Sequence, residues 1–302
     1  MFKTIEFHRI GCLLLQLCLA VASPKEAHIS PIANFENSWI ASSAQSTLVS
    51  LPVQISDEEQ GVIILLRSKN SEALESIAEC NTVAQPEVVS SLRLTDSVLL
   101  DEQTARERSP WTILSPTTLC AMTGLASDAE FLVRALQQSV EHHRSIYDEA
   151  VASQSNFLST FKLVQILCRL IQDPTAYQGA RPYGVQALLI GSNPQSSSSL
   201  DIYTVDPSGS FHHWPRGTAI GRNALKVRNE LADVLEEHKG DNAEKALELA
   251  LLTCLGADGA ASASNFAAVL VTRRRTGLSV AKVDPGQIKS LLDGIVDTSF
   301  PN

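Results

Sequence analysis

Basic residues are scarce in this sequence: 24 Lys and Arg stand against 33 Asp and Glu, giving a net charge of −9. With no cationic surplus to neutralise phosphates, the composition argues against nucleic-acid binding. The one basic run, Arg273-Arg274-Arg275, reads as a solvated strand end rather than a phosphate site. Six cysteines occur, none in a C-x-x-C pair and none at zinc-ligand spacing with histidine. Neither a disulfide framework nor a zinc module is therefore encoded, which fits a reducing compartment. Cys120, Cys168 and Cys254 lie in apolar runs, where a free thiol behaves as a small buried hydrophobe. Walker A, G-x-G-x-x-G and G-x-S-x-G patterns are all missing. So is any apolar run long enough to span a bilayer.

The amino terminus carries a different signal. Lys3, His8 and Arg9 precede the apolar Gly11–Ala22, which ends in the small-x-small triplet Ala20-Val21-Ala22. That is the shape of a secretory signal. The alternatives are a buried apolar segment or a misplaced gene start. Residues 23–44 are Ser/Ala/Asn-rich with little periodicity.

From residue 45 the chain reads as one domain to residue 302. Thr47–Ile55 alternates and Gly61–Leu66 is a compact apolar run, a hairpin signal. The stretch 67–115 is polar and irregular. Pro116–Met122 reads as the next strand. A helix then follows, with Ser127 and Glu130 as a capping box. Its stripe is Leu132, Leu136, Val140 and His143, joined by Phe131, Ala135 and Ile146. A second helix is expected over Asn156–Ile171, with Phe157, Phe161, Val164, Cys168 and Ile171 on one face, ended by Pro174.

The central stretch, Arg181–Gly221, holds three strands in an antiparallel meander. Val185–Ile190 stops at Gly191-Ser192-Asn193-Pro194. Leu200–Val205 stops at Asp206-Pro207-Ser208-Gly209, a tight turn. The third strand runs from Phe211–Trp214 towards Ala219-Ile220-Gly221. A helix over Arg222–Glu237 follows, amphipathic through Leu225, Leu231, Val234 and Leu235, with His238-Lys239-Gly240 as its cap. Asp241 and Glu244 open a helix to Leu255, stopped by Gly256. Strands at Ala267–Thr272 and Leu278–Val283 flank a Gly277 turn. Asp284-Pro285 then caps a last helix through Ile288, Leu291, Leu292 and Ile295. The fold class is α+β. Two antiparallel sheets packed face to face, each covered by a helix pair, would satisfy every apolar face.

Two runs carry a family resemblance. CAMTGLASDAEFLVRALQQSVEHHRSIYDE, from Cys120, and R-P-Y-G with the following strand, Y-x-x-D-P-S-G and A-I-G are similar to proteasome α-type subunits. The resemblance covers roughly 45–295, most strongly 117–149 and 181–221. It implies a four-layer αββα sandwich, the N-terminal-nucleophile hydrolase fold, and two more short strands at Ser91–Leu94 and Ser97–Leu100. It also implies a place in a heptameric outer ring beside other α subunits and above β subunits, gating substrate entry and docking regulatory caps, in cytoplasm and nucleus. The family's N-terminal gate signature is met only faintly, by Ile29-Ser30-Pro31, Phe35-Glu36 and Trp39-Ile40-Ala41.

Catalytic members of this fold attack with an N-terminal threonine whose own amine is the base. Ser46 and Thr47 stand near that place. The family's aspartate after the second strand is Arg67 here, and its lysine falls in 83–91, which contains none. The lysine that pairs with the activator's C-terminus corresponds to Ser91. No catalytic, cofactor-binding or metal-ligating residue is therefore expected. The pairs His142-His143 and His212-His213 cannot act bidentately, since adjacent side chains diverge on a helix or a strand. Asp206 reads as a turn residue. Two other roles remain open: a hydrolase of the same fold, active once cut before Ser46 or Thr47, and a binding module outside the ring in an endomembrane or plastid-related compartment.

Overall fold

The computed structural model describes residues 46–55, 60–68, 87–89, 92–98, 111–147, 158–176, 181–192, 199–237, 242–258, 265–274 and 277–299. The segment 1–45, Ser91, Phe157 and the expected cap at His238-Lys239-Gly240 lie outside them. Sheet A has seven strands. In chain order these are β1 (Ser46–Gln54), β2 (Gln60–Ser68), β3 (Glu87–Val89), β4 (Leu92–Val98), β10 (Thr218–Gly221), β11 (Phe266–Arg274) and β12 (Gly277–Val283). They lie in the order β10-β1-β2-β11-β12-β4-β3. Sheet B is β5 (Trp111–Ser115), β6 (Thr118–Gly124), β7 (Val185–Ser192), β8 (Leu200–Val205) and β9 (Phe211–His213), side by side in chain order. Every neighbouring pair is antiparallel.

Helices α1 (Ala126–Tyr147) and α2 (Thr160–Ala176) cover sheet B. Helices α3 (Ala224–Glu237), α4 (Ala243–Asp258) and α5 (Pro285–Ser299) cover sheet A. The result is the expected four-layer αββα sandwich, except that sheet A carries three helices rather than two.

Three cores separate the layers, and strand alternation assigns side chains to them. In β2, Val62, Ile64 and Leu66 enter the gap between the sheets, while Ile63 and Leu65 face the helices of sheet A. In β7, Leu188 and Ile190 meet the same gap and Ala187 and Leu189 meet α1 and α2. Strands buried on both faces must read as continuous apolar runs, which is why GVIILL does not alternate. Each fully buried Leu or Ile contributes about 1.5–3 kcal/mol. Cys120, Cys168 and Cys254 are buried as expected, and burial pushes the Cys120 thiol up to about 12.

Several boundaries differ from the sequence reading. Pro116-Thr117 is a turn, not a strand start: the Thr117 amide donates to Ser115 Oγ at 3.3 Å, and β5 pairs back on β6. The two short strands after β2 are shifted, with β3 upstream at Glu87–Val89 and residues 92–98 forming a single strand. The third strand of the meander ends at His213. Pro215-Arg216-Gly217 turns the chain, and β10 crosses to sheet A to pair with β1. Helix α1 begins at Ala126, ahead of the expected Ser127 cap, with the Leu125 carbonyl accepting from Asp128 and Ala129. Helix α2 starts only at Thr160 and holds Pro174 within its last turn. Helix α4 continues through Gly256. Phe131, Ile146, Phe161 and Leu225 are exposed rather than part of buried stripes.

The Asp206–Gly209 turn forms as read, with the Gly209 amide donating to Asp206 O at 2.8 Å and Gly209 at φ 77°. Asp284 caps α5, its Oδ1 accepting from Gly286 N at 3.0 Å.

These placements separate two leucine-class positions. Ile64→Ala should cost about 3 kcal/mol, because it empties a fully buried site between the sheets. Leu225→Ala should stay within about 0.5 kcal/mol, because its side chain is 73% exposed. Urea unfolding monitored by circular dichroism measures both.

Candidate functional site

Two places in the sandwich gather the residues that the sequence singles out. The first is the start of β1. Ser46 lies opposite Ser68, and Thr47 lies between Arg67 of β2 and Gly221 of β10. Thr47 is 3% exposed and its hydroxyl donates to the Arg222 carbonyl at 2.9 Å. The Arg222 amide donates to the Ser46 carbonyl at 3.1 Å. The opening of β1 is thus held on both sides, by β2 and by the chain leaving β10. Nearby, Gly221 N donates to Gln186 Oε1 at 2.8 Å, tying the same corner to sheet B.

Arg67 is buried and spans from β2 to α4. Its Nη1 donates to the Cys254 carbonyl at 2.6 Å, and its guanidinium sits 5.6 Å from the centroid of the Phe266 ring. A cation over an aromatic face and against carbonyls near a helix C-terminus is favourably placed. The structure therefore brings Ser46, Thr47 and Arg67 together at one end of β1 and β2. Ser91 lies outside the described residues.

The second place joins the two strongest motif runs. Asp128, in the first turn of α1, has a side chain only 6% exposed. Arg181 grips it in a fork, with Nη2 donating to Oδ1 at 2.6 Å and Nη1 to Oδ2 at 2.8 Å. The Gly184 amide donates to Oδ2 at 3.0 Å. Leu125 N donates to Gly184 O at 3.0 Å, closing the loop between the two runs. Gly124, at φ 125°, makes this approach feasible, since a Cβ there would fall inside contact distance of the Gly184 carbonyl. Tyr183 stacks on Phe131, centroids 5.8 Å apart.

Burial alone would raise the Asp128 carboxyl. The hydrogen bonds from Arg181 and Gly184, together with the Arg181 charge, outweigh it and hold the group below its ordinary range. The sequence reading named both runs but not this pair. The available signal was an acid early in a helix in one run and an arginine just before a strand in the other.

The remaining candidates are dispersed. His142 is exposed and His143 half-buried on α1. His212 and His213 lie on opposite faces of β9, each beside a different aspartate. Asp206 starts its turn as expected.

The family model described as "Proteasome: Proteasome subunit" matches residues 88–271, from β3 into β11 and through both motif runs. The chain belongs to the proteasome subunit family. Its sandwich is accordingly of the N-terminal-nucleophile hydrolase type.

Curated relatives of the chain include α-type proteasome subunits. Proteasome subunit alpha type-7-B of Arabidopsis thaliana is 29% identical over 158 residues, covering 52% of this chain and 58% of the relative. Proteasome subunit alpha type-8 of Mus musculus is 30% identical over 159 residues, again 52% and 58%. Proteasome subunit alpha type-2 of Oryza sativa subsp. japonica is 25% identical over 209 residues, 69% of this chain and 81% of the relative. The chain spans a little over half the length of the first two relatives. Among the described residues no helix is long and apolar enough to cross a membrane.

The junction of this proteasome-family chain predicts an acid sensitivity with a defined sign. Because the folded carboxyl is depressed, its contribution is complete above the ordinary carboxylate range and is lost as pH falls through the folded value. Arg181→Ala should cost about 1–2 kcal/mol at neutral pH, discounted because Arg181 is 56% exposed. Asp128→Asn should lose a similar amount and show a shallower fall in stability below about pH 4. Denaturant midpoints taken at several pH values test both, and a wild-type-like acid limb in Asp128→Asn would refute the assignment.

Proposed function

We propose that this chain is a non-catalytic α-type structural subunit of the proteasome core particle. The observation that carries the reading is the similarity to α-type subunits, together with a family match over residues 88–271, which include both segments that the Asp128–Arg181 junction holds together. In this role the chain sits in the heptameric outer ring, with other α subunits at its sides and β subunits beneath it. Its contribution to protein degradation is positional. It forms part of the wall and gate through which substrates reach catalytic subunits, and it presents a docking surface to regulatory caps. The domain comprises residues 45–302, preceded by a reduced α-type extension over 23–44 and a signal-like segment over 1–22.

The absence of bond-cleaving chemistry in this reading rests on the start of β1. Thr47 donates its hydroxyl to a backbone carbonyl, and the neighbouring charged group is Arg67, already committed to Cys254 O and Phe266. In this fold the nucleophile's own free amine takes its proton, so Thr47 would need a cut just before it, and the resemblance's aspartate position is held by the guanidinium of Arg67, which stays protonated. Neither of the family's partner residues stands at its sequence position. No cofactor is required for such a role. The location it entails is the cytoplasm and nucleus. Ser91 in place of the activator-pairing lysine and the faint gate signature imply weaker cap docking and gating at this subunit.

Tagged chain recovered from its native cells should run on a native gel in a large complex containing α-type and β-type subunits, and its intact mass should not correspond to a start at Ser46 or Thr47. A free monomer would overturn the structural reading. A free chain beginning at either residue would put the hydrolase reading in its place.

A further inference from the structure

Strand β9 is three residues long, with all three side chains about half exposed, and is the outermost strand of sheet B. So short an edge strand is held by one ladder only and opens easily. Its side chains meet an ordered set of neighbours. His213 lies 5.0 Å, ring to ring, from Tyr203 of β8, and Phe211 packs 5.7 Å from Phe161 of α2. His212, on the opposite face, is 6.1 Å from Trp214.

Each imidazole has its own carboxylate. His213 Nε2 is 3.4 Å from Asp201 Oδ1 on β8, and His212 Nε2 is 3.6 Å from Asp206 Oδ2 in the turn that leads into β9. The Tyr203 hydroxyl donates to the other oxygen of Asp201 at 3.4 Å. On the His212 side, Arg228 of α3 lies over the Trp214 ring and interacts with Asp206. Among the described residues, Asp201 and Tyr203 from β8, Asp206 from the turn and Arg228 from α3 are the charged and titratable groups with contacts on the two histidine faces.

We propose that β9 is a pH-sensitive edge, pinned by two histidine–aspartate pairs when the imidazoles are protonated and loosened when they are neutral. An ordinary imidazole changes charge between about pH 5 and pH 8. As cations, His213 ties the strand to β8 and His212 ties it to its own turn. As neutral rings, both lose the Coulomb part of the contact. The pairs are half exposed, so each is weak, and the effect is local fraying rather than global unfolding.

Hydrogen exchange on the full chain at about pH 5.5 and about pH 7.5 tests this. The reporters are the Trp214 amide, bonded to Ile202 O, and the Asp206 amide, bonded to Ser210 O. After correction for intrinsic rates, both should be roughly threefold to tenfold better protected at the lower pH, while Leu189 in β7 stays constant. In the double variant Asp201→Asn with Asp206→Asn the difference should vanish. Equal wild-type protection at the two pH values, or a difference that persists in the double variant, overturns the proposal. Should that variant not fold, NMR titration of the wild type decides instead. The His212 or His213 ring signals and the Trp214 amide must share a midpoint, and separate midpoints refute the coupling.

Discussion

All eight residues of β2 from Gly61 to Ser68 are buried, and the alternate side chains enter two different cores. A strand in this position can leave neither face to water. One face requires a second sheet and the other a layer of helices, and repeating the argument for β7 in sheet B gives the second helical layer. The four layers follow from that one constraint. They also decide where polar groups can sit. The gap between the sheets is filled with aliphatic side chains over most of its area, and polar groups collect where β1 begins, around Thr47, Gln186 and Gly221.

The Asp128–Arg181 junction is a second constraint, local but far-reaching. It fixes the direction in which α1 leaves β6 and in which the chain enters β7. Breaking it exposes a buried carboxylate and frees the Gly184 amide together. The worth of the pair therefore lies less in Coulomb attraction, which the half-exposed arginine shares with water, than in the hydrogen bonds that leave no polar group unmet. Arg67 plays the opposite part at the other end of the sandwich. A charged side chain has been drawn into a structural bridge between β2, β11 and α4.

Much of this was legible in the sequence. The continuous run at β2, the Asp206–Gly209 turn and the Asp284-Pro285 cap are encoded by residues close together in the chain, whose local chemistry decides their conformation. What was not legible depends on distant partners. Thr218–Gly221 looks like a continuation of β9, and only its pairing with β1 shows that it belongs to the other sheet. β5 was hidden because Trp111–Ser115 is short and its partner strand was read as starting at the turn. Helical spacing puts Phe131, Phe161 and Leu225 on apolar stripes, yet all three are exposed, because periodicity identifies a stripe without saying which edge of it the neighbouring layer covers. At the site, Thr47 and Arg67 were placed by resemblance. Asp128 and Arg181, 53 residues apart, gave no local sign of meeting.

The crossing of β10 has a mechanical consequence. One covalent segment passes from the edge of sheet B into sheet A within the few residues between His213 and Thr218. Gly221 N reaches Gln186 across the same gap, and at a separate point Leu278 N donates to Pro116 O at 2.7 Å. With stitches at separate points, the sheets cannot shear past one another without breaking backbone contacts. Load applied to one helical layer is therefore delivered to the other through these stitches, and a shift of either sheet carries the other with it.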